Sequence, residues 1–305
     1  MLDVCLLGTG GMMPMPGRFL TALALRLNGR MMLIDCGEGT QVTMKMLGWG
    51  FKTIDAICFT HFHADHISGL PGLLLTIGNS GRTEPLCLVG PQGLPYIVEG
   101  LRRIAPELPF PITYMELNRE TEQPLHIGEF ELSFCPADHM VRCFAYRVDV
   151  RRRGKFDPKK AEALGLPRPF WGKLQKEGAV EYEGRWYTPD LVLGAERPGI
   201  AVAYCTDSRP VERLSAFAAD VQLFICEGMY GEEEKKAKAR EYKHMLFSEA
   251  AHLAKAANAQ ALWLTHFSPS LHEPEAYLQN AADIFPNTEL GEERKCTTLY
   301  FPQEG

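Results

Sequence analysis

The sequence predicts an α/β fold in which sheets are covered by helices. Short apolar runs bounded by turn residues have the length and composition of strands, and they lie at residues 3–7, 21–27, 31–35 and 54–60. Other runs space their apolar residues at the helical period, at residues 39–47, 67–77, 94–104, 211–217, 232–242 and 248–258. Strands and helices that alternate in this way indicate a layered architecture.

The turn between the second and third predicted strands is the clearest local feature. Asn28-Gly29 lies between the two apolar runs. Both residues tolerate the positive φ that a tight two-residue turn requires, and the pair is common in hairpins. We therefore predict that these strands pair antiparallel.

Composition places the chain among ordinary globular proteins. Its 305 residues are 46% hydrophobic and 23% charged, enough for one large domain or two smaller ones. The apolar stretches end well short of the roughly 20 residues that span a bilayer, and no basic segment opens the chain, so we expect neither a membrane helix nor a secretory signal. Nine cysteines lie mostly in apolar runs without a Cys-x-x-Cys pair. We expect buried thiols, no disulfide framework and a cytoplasmic location.

Four potential metal ligands follow the strand predicted at residues 54–60: His61, His63, Asp65 and His66. His61 and His63 are two residues apart, so their imidazoles point to the same side of an extended segment. Imidazole and carboxylate ligands in a compact arc suit Zn²⁺, with Mn²⁺ or Fe²⁺ as alternatives. A polar surface turn is the plainer interpretation, but three of the nine histidines fall within six positions. We therefore predict a metal site.

The pattern His-x-His-x-Asp-His at residues 61–66 resembles the signature of the metallo-β-lactamase superfamily, whose fold is a four-layer αββα sandwich. The resemblance implies three further ligands, His139, Asp207 and His266, each at the end of an apolar strand pattern. Taken singly, these would be ordinary strand-end or turn residues. One zinc ion would take His61, His63, His139 and Asp207, and a second would take Asp65, His66, Asp207 and His266.

Two zinc ions that share a carboxylate can hold a water as hydroxide near neutral pH, since a single bound zinc lowers the pKa of water to roughly 7. Asp65 would ligate the second ion and hydrogen-bond the attacking hydroxide. This chemistry suits the hydrolysis of a phosphodiester or another ester-like bond.

Nearly the whole chain is similar to the ribonuclease Z family, endonucleases that remove 3′ trailers from precursor tRNA. The similarity rests on residues 8–11, 35–41 and 264–269 in addition to the metal motif. It implies that His244 is the general acid that protonates the departing 3′ oxygen and that Glu227 orients it. The alternatives are a carboxylate that caps the helix at residues 232–242, for Glu227, and a surface histidine at a helix end, for His244.

Residues 151–199 differ from their surroundings in being rich in charge, Gly, Pro and aromatic residues. Residues 151–176 hold nine Lys and Arg against two Asp and Glu, a charge of +7, which leaves −13 for the rest of a chain whose net charge is −6. We therefore expect a single domain over residues 1–305 with an inserted arm. The segment resembles the tRNA-binding arm of the family, and its charge suits phosphate contacts. The alternative is a basic excursion that closes a dimer; the family resemblance suggests a homodimer whose partner supplies the arm.

The chain departs from the family pattern at two places that face RNA in the family. Pro16 and Phe19 stand where the family loop has Lys and Asn, and Met245 and Leu246 follow His244 in place of Ser and Thr. These changes leave a second interpretation open, the hydrolysis of a smaller phosphodiester or another ester. A binding module without activity is a third, and it does not explain why seven ligands are present.

Overall fold

A computed structural model of the chain describes residues 1–118 and 123–303. The chain divides into two compact units. The first comprises Met1–Val150 and Ile200–Tyr300, and the second comprises Arg151–Gly199 and the residues after Tyr300.

The described residues form sixteen strands and ten α-helices. The strands are β1 (Leu2–Gly8), β2 (Ala22–Leu27), β3 (Arg30–Ile34), β4 (Ile54–Cys58), β5 (Leu86–Pro91), β6 (Ile112–Leu117), β7 (Leu125–Ile127), β8 (Phe130–Pro136), β9 (Phe144–Arg152), β10 (Val180–Tyr182), β11 (Arg185–Tyr187), β12 (Arg197–Cys205), β13 (Leu223–Glu227), β14 (Leu262–Thr265), β15 (Thr288–Leu290) and β16 (Cys296–Leu299). The helices are α1 (Thr40–Leu47), α2 (Ala64–Ile67), α3 (Leu70–Asn79), α4 (Leu94–Leu101), α5 (Pro158–Ala163), α6 (Arg168–Glu177), α7 (Glu212–Phe217), α8 (Lys236–Glu241), α9 (Phe247–Ala256) and α10 (Leu278–Ala282).

Two mixed sheets of seven strands each organise the first unit. The order in one sheet is β16-β1-β2-β3-β4-β5-β6, antiparallel as far as β3 and parallel from there. The order in the other is β15-β14-β13-β12-β9-β8-β7, in which β12 to β15 are parallel and β7 to β9 are antiparallel. Parallel strands end at the same edge, so each sheet collects loops that follow strand ends there.

Helices cover one face of each sheet, and the other face is buried as well. Alternate residues of the first sheet form a core with α1, α3 and α4, and alternate residues of the second form a core with α7, α9 and α10. Residues of the opposite parity, such as Leu23 and Tyr204, are also fully buried. The hydroxyl of Tyr146 donates to the carbonyl of Phe59 over 2.7 Å and so joins one sheet to the other. The layers are therefore helix, sheet, sheet and helix, as expected from the family resemblance.

The predicted hairpin is confirmed, and one predicted helix is interrupted. Leu27 pairs with Arg30, and Asn28 and Gly29 have φ angles of 49° and 80°. The helical run at residues 67–77 divides into α2 and α3 at Gly69, whose N–H donates to the carbonyl of Cys36 over 2.9 Å and not to the preceding helical turn. A Cβ at Gly69 would lie 2.2 Å from the carbonyl oxygen of Gly37.

The cysteines differ from the expectation at one pair. Cys5 and Cys296 face each other across β1 and β16 and form a disulfide. The other seven are free, and all are buried or half-buried. No helix in the described ranges is long and apolar enough to cross a membrane.

The second unit has a small core of its own. Its buried apolar side chains are Ala161, Leu166, Leu174, Val180, Tyr187 and Val192. The carboxylate of Asp157 accepts hydrogen bonds from the backbone N–H groups of Lys159 and Lys160 and so begins α5. Basic side chains such as Lys159 and Lys173 are exposed, whereas the side chain of Lys176 lies outside the described part.

Candidate metal centre

All seven predicted ligands lie just beyond the carboxyl ends of strands. His61 and His63 follow β4, and Asp65 and His66 lie in α2 directly after them. The other three, His139, Asp207 and His266, follow β8, β12 and β14. The two sheets thus bring together ligands that are up to 205 residues apart in the sequence, from position 61 to position 266.

The seven predicted ligands form two groups that meet at Asp207, and a third group of close ligand atoms joins Asp207 and His266 to His244. Its Oδ2 lies 3.8 Å from His61 Nε2 and 3.7 Å from His139 Nε2, and His63 Nδ1 lies 3.3 Å from His139 Nε2.

The Oδ1 atom of Asp207 faces the second group. It lies 3.1 Å from the Nε2 atoms of both His66 and His266. Asp65 Oδ2 lies 3.4 Å from His266 Nε2 and 3.8 Å from His66 Nε2. Each oxygen of one carboxylate therefore serves a different set of histidines, as a bridging ligand must.

Unpaired atoms and the protonation states of His61 and Asp207 suit cations. His61 Nε2 and Asp207 Oδ1 are buried without a hydrogen-bond partner, which is costly unless a metal binds them. Burial lowers the pKa of His61 well below its usual value, which keeps its imidazole neutral. Burial opposes the charge of Asp207, but His266 and His66 hold the pKa of its carboxyl well below the usual range. Neutral imidazole and ionised carboxylate are the forms that bind metals. Burial lowers the pKa of His66, but Asp207 and Asp35 raise it well above its usual value, so this imidazole would lose its proton on binding a metal.

Asp35 is a functional residue that the sequence interpretation did not identify. It is fully buried after β3, and its Oδ2 lies 2.8 Å from His66 Nδ1. Its Oδ1 accepts a hydrogen bond of 2.8 Å from the N–H of Thr60, whose hydroxyl lies 3.0 Å from His61 Nδ1. Such partners fix the orientation of metal-binding imidazoles. The available signal was a carboxylate at the end of the strand beside β4.

The backbone at the site is held in unusual conformations. Asp35, Asp207 and His266 have φ angles of 63°, 47° and 58°, in the left-handed region that non-glycine residues rarely occupy. Gly11 packs against the ring of His266, and a Cβ there would lie 2.7 Å from it. The strain of such backbone is retained where surrounding contacts fix a functional geometry.

Glu227 and His244 form a pair at the edge of the metal cluster. His244 Nδ1 lies 3.1 Å from Glu227 Oε2, and Glu227 is fully buried. Glu227 also accepts hydrogen bonds from the backbone N–H groups of Ser208, over 2.5 Å, and Met245, over 3.2 Å. The carboxylate of Glu227 is therefore engaged by these groups, and the alternative that it caps the helix predicted at residues 232–242 is wrong. Burial disfavours the charge on His244, but Glu227 raises the pKa of this imidazole to about 9.

Two of the four departures from the family pattern lie away from the cleft. Met245 and Leu246 are fully buried and pack in apolar clusters beside α9 and β13. The expectation that they stand at RNA-facing places is therefore wrong for this pair. Pro16 is exposed, and Phe19 packs half-buried against Gly39.

A cleft of about 590 Å³ opens over the metal cluster. Its lining includes His63, Asp65, His139, Asp207, His244 and His266. The rest of its wall is apolar, aromatic or basic: Met12, Met140, Val141, Tyr230, Lys238 and Tyr242. The wall thus combines large apolar side chains with a positive charge beside the ligands.

Sequence comparisons match the chain to full-length relatives. It is 55% identical to ribonuclease Z of Lachnospira eligens over 305 residues, which are 100% of both chains. It is 55% identical to ribonuclease Z of Clostridium kluyveri over 303 residues, 99% of this chain and 100% of the relative. A family model described as the anti-Pycsar protein Apyc1 matches residues 2–92.

Three solved structures share the fold. A metallo-β-lactamase fold protein from Bacillus subtilis has a TM-score of 0.69 at 19% identity, covering 97% of this chain and 98% of the other. The short form of human tRNase Z has a TM-score of 0.69 at 23% identity, covering 98% of this chain and 100% of the other. Zn²⁺-bound PqqB from Methylobacterium extorquens has a TM-score of 0.64 at 13% identity, covering 97% and 100%.

The layered sheets and these neighbours establish the metallo-β-lactamase fold. The His and Asp side chains of the cluster lie close enough together to hold metal ions. With 55% identity to relatives that it matches from end to end, the chain belongs to the ribonuclease Z family of hydrolytic endoribonucleases.

Proposed function

We propose that this chain removes 3′ trailers from precursor tRNA with two zinc ions held by the seven side chains at the strand ends. The position of Asp207 carries the proposal, because its two oxygens face different ligand groups. One ion would take His61, His63, His139 and Asp207. The other would take Asp65, His66 and His266, together with the Oδ1 atom of Asp207 that lies 3.1 Å from both of these histidines. Nitrogen and oxygen ligands suit zinc, and a fold neighbour is Zn²⁺-bound.

The chemistry of the bound ions would be to acidify water and to polarise the phosphoryl group. The chain's own residues would orient the reaction. Asp65 is 8% exposed and lines the cleft, and its Oδ2 accepts a hydrogen bond of 2.7 Å from the N–H of Met12. We assign to it the orientation of the attacking water as well as metal binding.

His244 would protonate the departing 3′ oxygen. Its Nδ1 is engaged by Glu227, so Nε2 is the nitrogen left to deliver a proton into the cleft that His244 lines. The raised pKa, about 9, keeps the imidazole charged at neutral pH. Glu227 would act by orienting the ring and supporting its charge.

The rim of the cleft favours a nucleic acid over a small ester. Met12, Met140 and Tyr242 are 62%, 68% and 49% exposed around the ligands. Bases stack on such aromatic and apolar surfaces, and Lys238 in the same wall suits a phosphate. A small ester would leave most of this rim uncovered.

The remaining parts of the proposal concern the arm and the assembly. The segment of residues 151–199, as an arm inserted in a single metallo-β-lactamase domain, would contact tRNA phosphates away from the metals. Its charge of +7 over residues 151–176 supports this role. We further propose a homodimer, whose partner supplies the arm, and a cytoplasmic location.

The test compares cleavage of precursor tRNA with cleavage of bis(p-nitrophenyl) phosphate by the same preparation. We expect efficient cleavage of the RNA at the 3′ end of the mature sequence. Slow RNA processing beside fast cleavage of the small diester would contradict the proposal and favour a smaller substrate.

A further inference from the structure

We propose that Arg209 is a positioning residue for the general acid, holding His244 in place through an ion pair with Glu249. The inference rests on the proposed function in one respect, that His244 protonates the leaving oxygen. Neither Arg209 nor Glu249 is among the residues that line the cleft, so any effect on the reaction passes through His244.

The guanidinium of Arg209 makes three directed contacts. Its Nη1 donates to the backbone carbonyl of His244 and to Glu249 Oε2, the latter over 2.9 Å. Its Nη2 donates to Glu249 Oε1 over 2.5 Å. The side chains of the pair are only 12% and 11% exposed. Two parallel hydrogen bonds in a largely buried pair fix the orientation of the guanidinium as well as bringing the opposite charges together.

Arg209 also connects the loops that carry the reacting groups. It follows Asp207 by two residues, and its backbone N–H donates to the carbonyl of Asp138 over 3.0 Å, next to His139. A second link joins the same loops, because Lys243 Nζ lies 3.0 Å from Asp138 Oδ1. The loops of the bridging carboxylate, a ligand histidine and the acid are therefore tied at one residue.

Glu249 anchors this arrangement to a rigid element. Its Oε2 accepts a hydrogen bond of 3.0 Å from the N–H of Leu246 at the start of α9. The neighbouring Phe247, Ala250 and Ala251 are fully buried in the core. His244 is thus held at its ring by Glu227 and at its carbonyl by Arg209, and its N–H donates to the carbonyl of Ala239 over 2.8 Å.

Loss of the guanidinium would release the contact at the carbonyl of His244. The carboxylate of Glu249 would lose its ion pair and keep the N–H of Leu246, and the segment around His244 could shift. A displacement of about 1 Å from productive geometry costs on the order of 10²-fold in rate. The loss should fall on substrates that need a proton at the leaving oxygen, and it should appear in kcat more than in KM.

The first experiment compares Arg209→Gln with the unaltered protein on precursor tRNA and on bis(p-nitrophenyl) phosphate. We expect a loss of roughly 10- to 100-fold on the RNA and a much smaller loss on the diester. Arg209→Lys should recover part of the RNA activity, because an ammonium reaches one carbonyl but cannot pair bidentately. Metal content should stay at the level of the unaltered protein.

Arg147→Gln is the matched control. Like Arg209, Arg147 lies outside the cleft lining and pairs with a carboxylate, that of Asp149, over 2.9 Å. The carbonyls to which it donates are those of Phe217 and Ala219 and not that of His244. We expect no difference between the two substrates for this variant. If Arg209→Gln does not fold, Glu249→Gln and Arg209→Lys provide the same comparison with a milder change.

The decisive measurement is a double-mutant cycle. If Arg209 acts through the acid, Arg209→Gln should cost almost nothing further in a His244→Ala background. Multiplied losses in the double variant, or equal losses on both substrates together with loss of metal, would show a structural role and overturn the inference. The inference would also be overturned if His244→Ala lost more activity on the RNA than on the diester and Arg209→Gln lost the same on both. If His244→Ala lost the same activity on both substrates, the result would instead contradict the proposed function.

Discussion

Replacing His244 with alanine tests the proton donor directly, because none of the seven proposed metal ligands is removed. His244 Nδ1 lies 3.1 Å from Glu227 Oε2, and although burial lowers the pKa of the imidazole, this carboxylate raises it to about 9, which favours the charged form at neutral pH. General acid catalysis is worth about 10²- to 10⁴-fold for a poor leaving group. We expect a loss of that size on precursor tRNA, whose leaving group is an alkoxide.

The assay pairs this RNA with bis(p-nitrophenyl) phosphate, whose p-nitrophenolate leaves without a proton. The variant should therefore keep much of its activity on the diester, and Glu227→Gln should show a milder form of the same split. The acid form is lost as pH rises through the pKa, so RNA cleavage should decline toward pH 9 while diester cleavage does not. Bound cations would disfavour the charged imidazole and so lower the pKa of His244. The decline in RNA cleavage should therefore be centred at or below pH 9. An equal fall on both substrates would refute the reasoning and assign His244 to the metal site or the fold.

Three further outcomes are expected. Metal analysis of protein purified without added metal should find about two zinc ions per chain, because seven ligands exceed the four of one tetrahedral ion; one or none after zinc supplementation would count against the dinuclear site. Asp65→Ala should abolish hydrolysis while circular dichroism and the melting temperature stay near those of the unaltered protein, and near-normal turnover would rule out its role. Deleting residues 152–176 should weaken tRNA binding far more than diester cleavage, and added salt should mimic the deletion, whereas equal losses would make the arm structural.

Much of the fold and the centre of the site could be predicted because their signals are local. The hairpin at Asn28-Gly29 depends on two residues, and four ligands lie within residues 61–66. His139, Asp207 and His266 are single residues at strand ends, and only the order of a family pattern distinguishes them from ordinary turn residues. Their convergence is a property of the paired sheets.

Contacts between segments that are far apart in the chain could not be predicted from the sequence. Asp35 meets His66 across 31 positions, and Arg209 meets Glu249 across 40. Met245 and Leu246 match family positions that carry hydroxyls, but the sequence does not tell that their side chains turn into the core. The break at Gly69 likewise depends on a distant partner, the carbonyl of Cys36, to which the N–H of Gly69 donates.

The order of the ligands along the chain has a consequence for biosynthesis. The group formed by His61, His63, His139 and Asp207 is complete once β12 has been made, whereas the second group requires His266, after β14. In the proposed dinuclear site, the ligands of the first ion are therefore all synthesised before the ligand set of the second is complete. The second ion of the proposed site could therefore bind only after β14, which begins at residue 262 of 305, has been made.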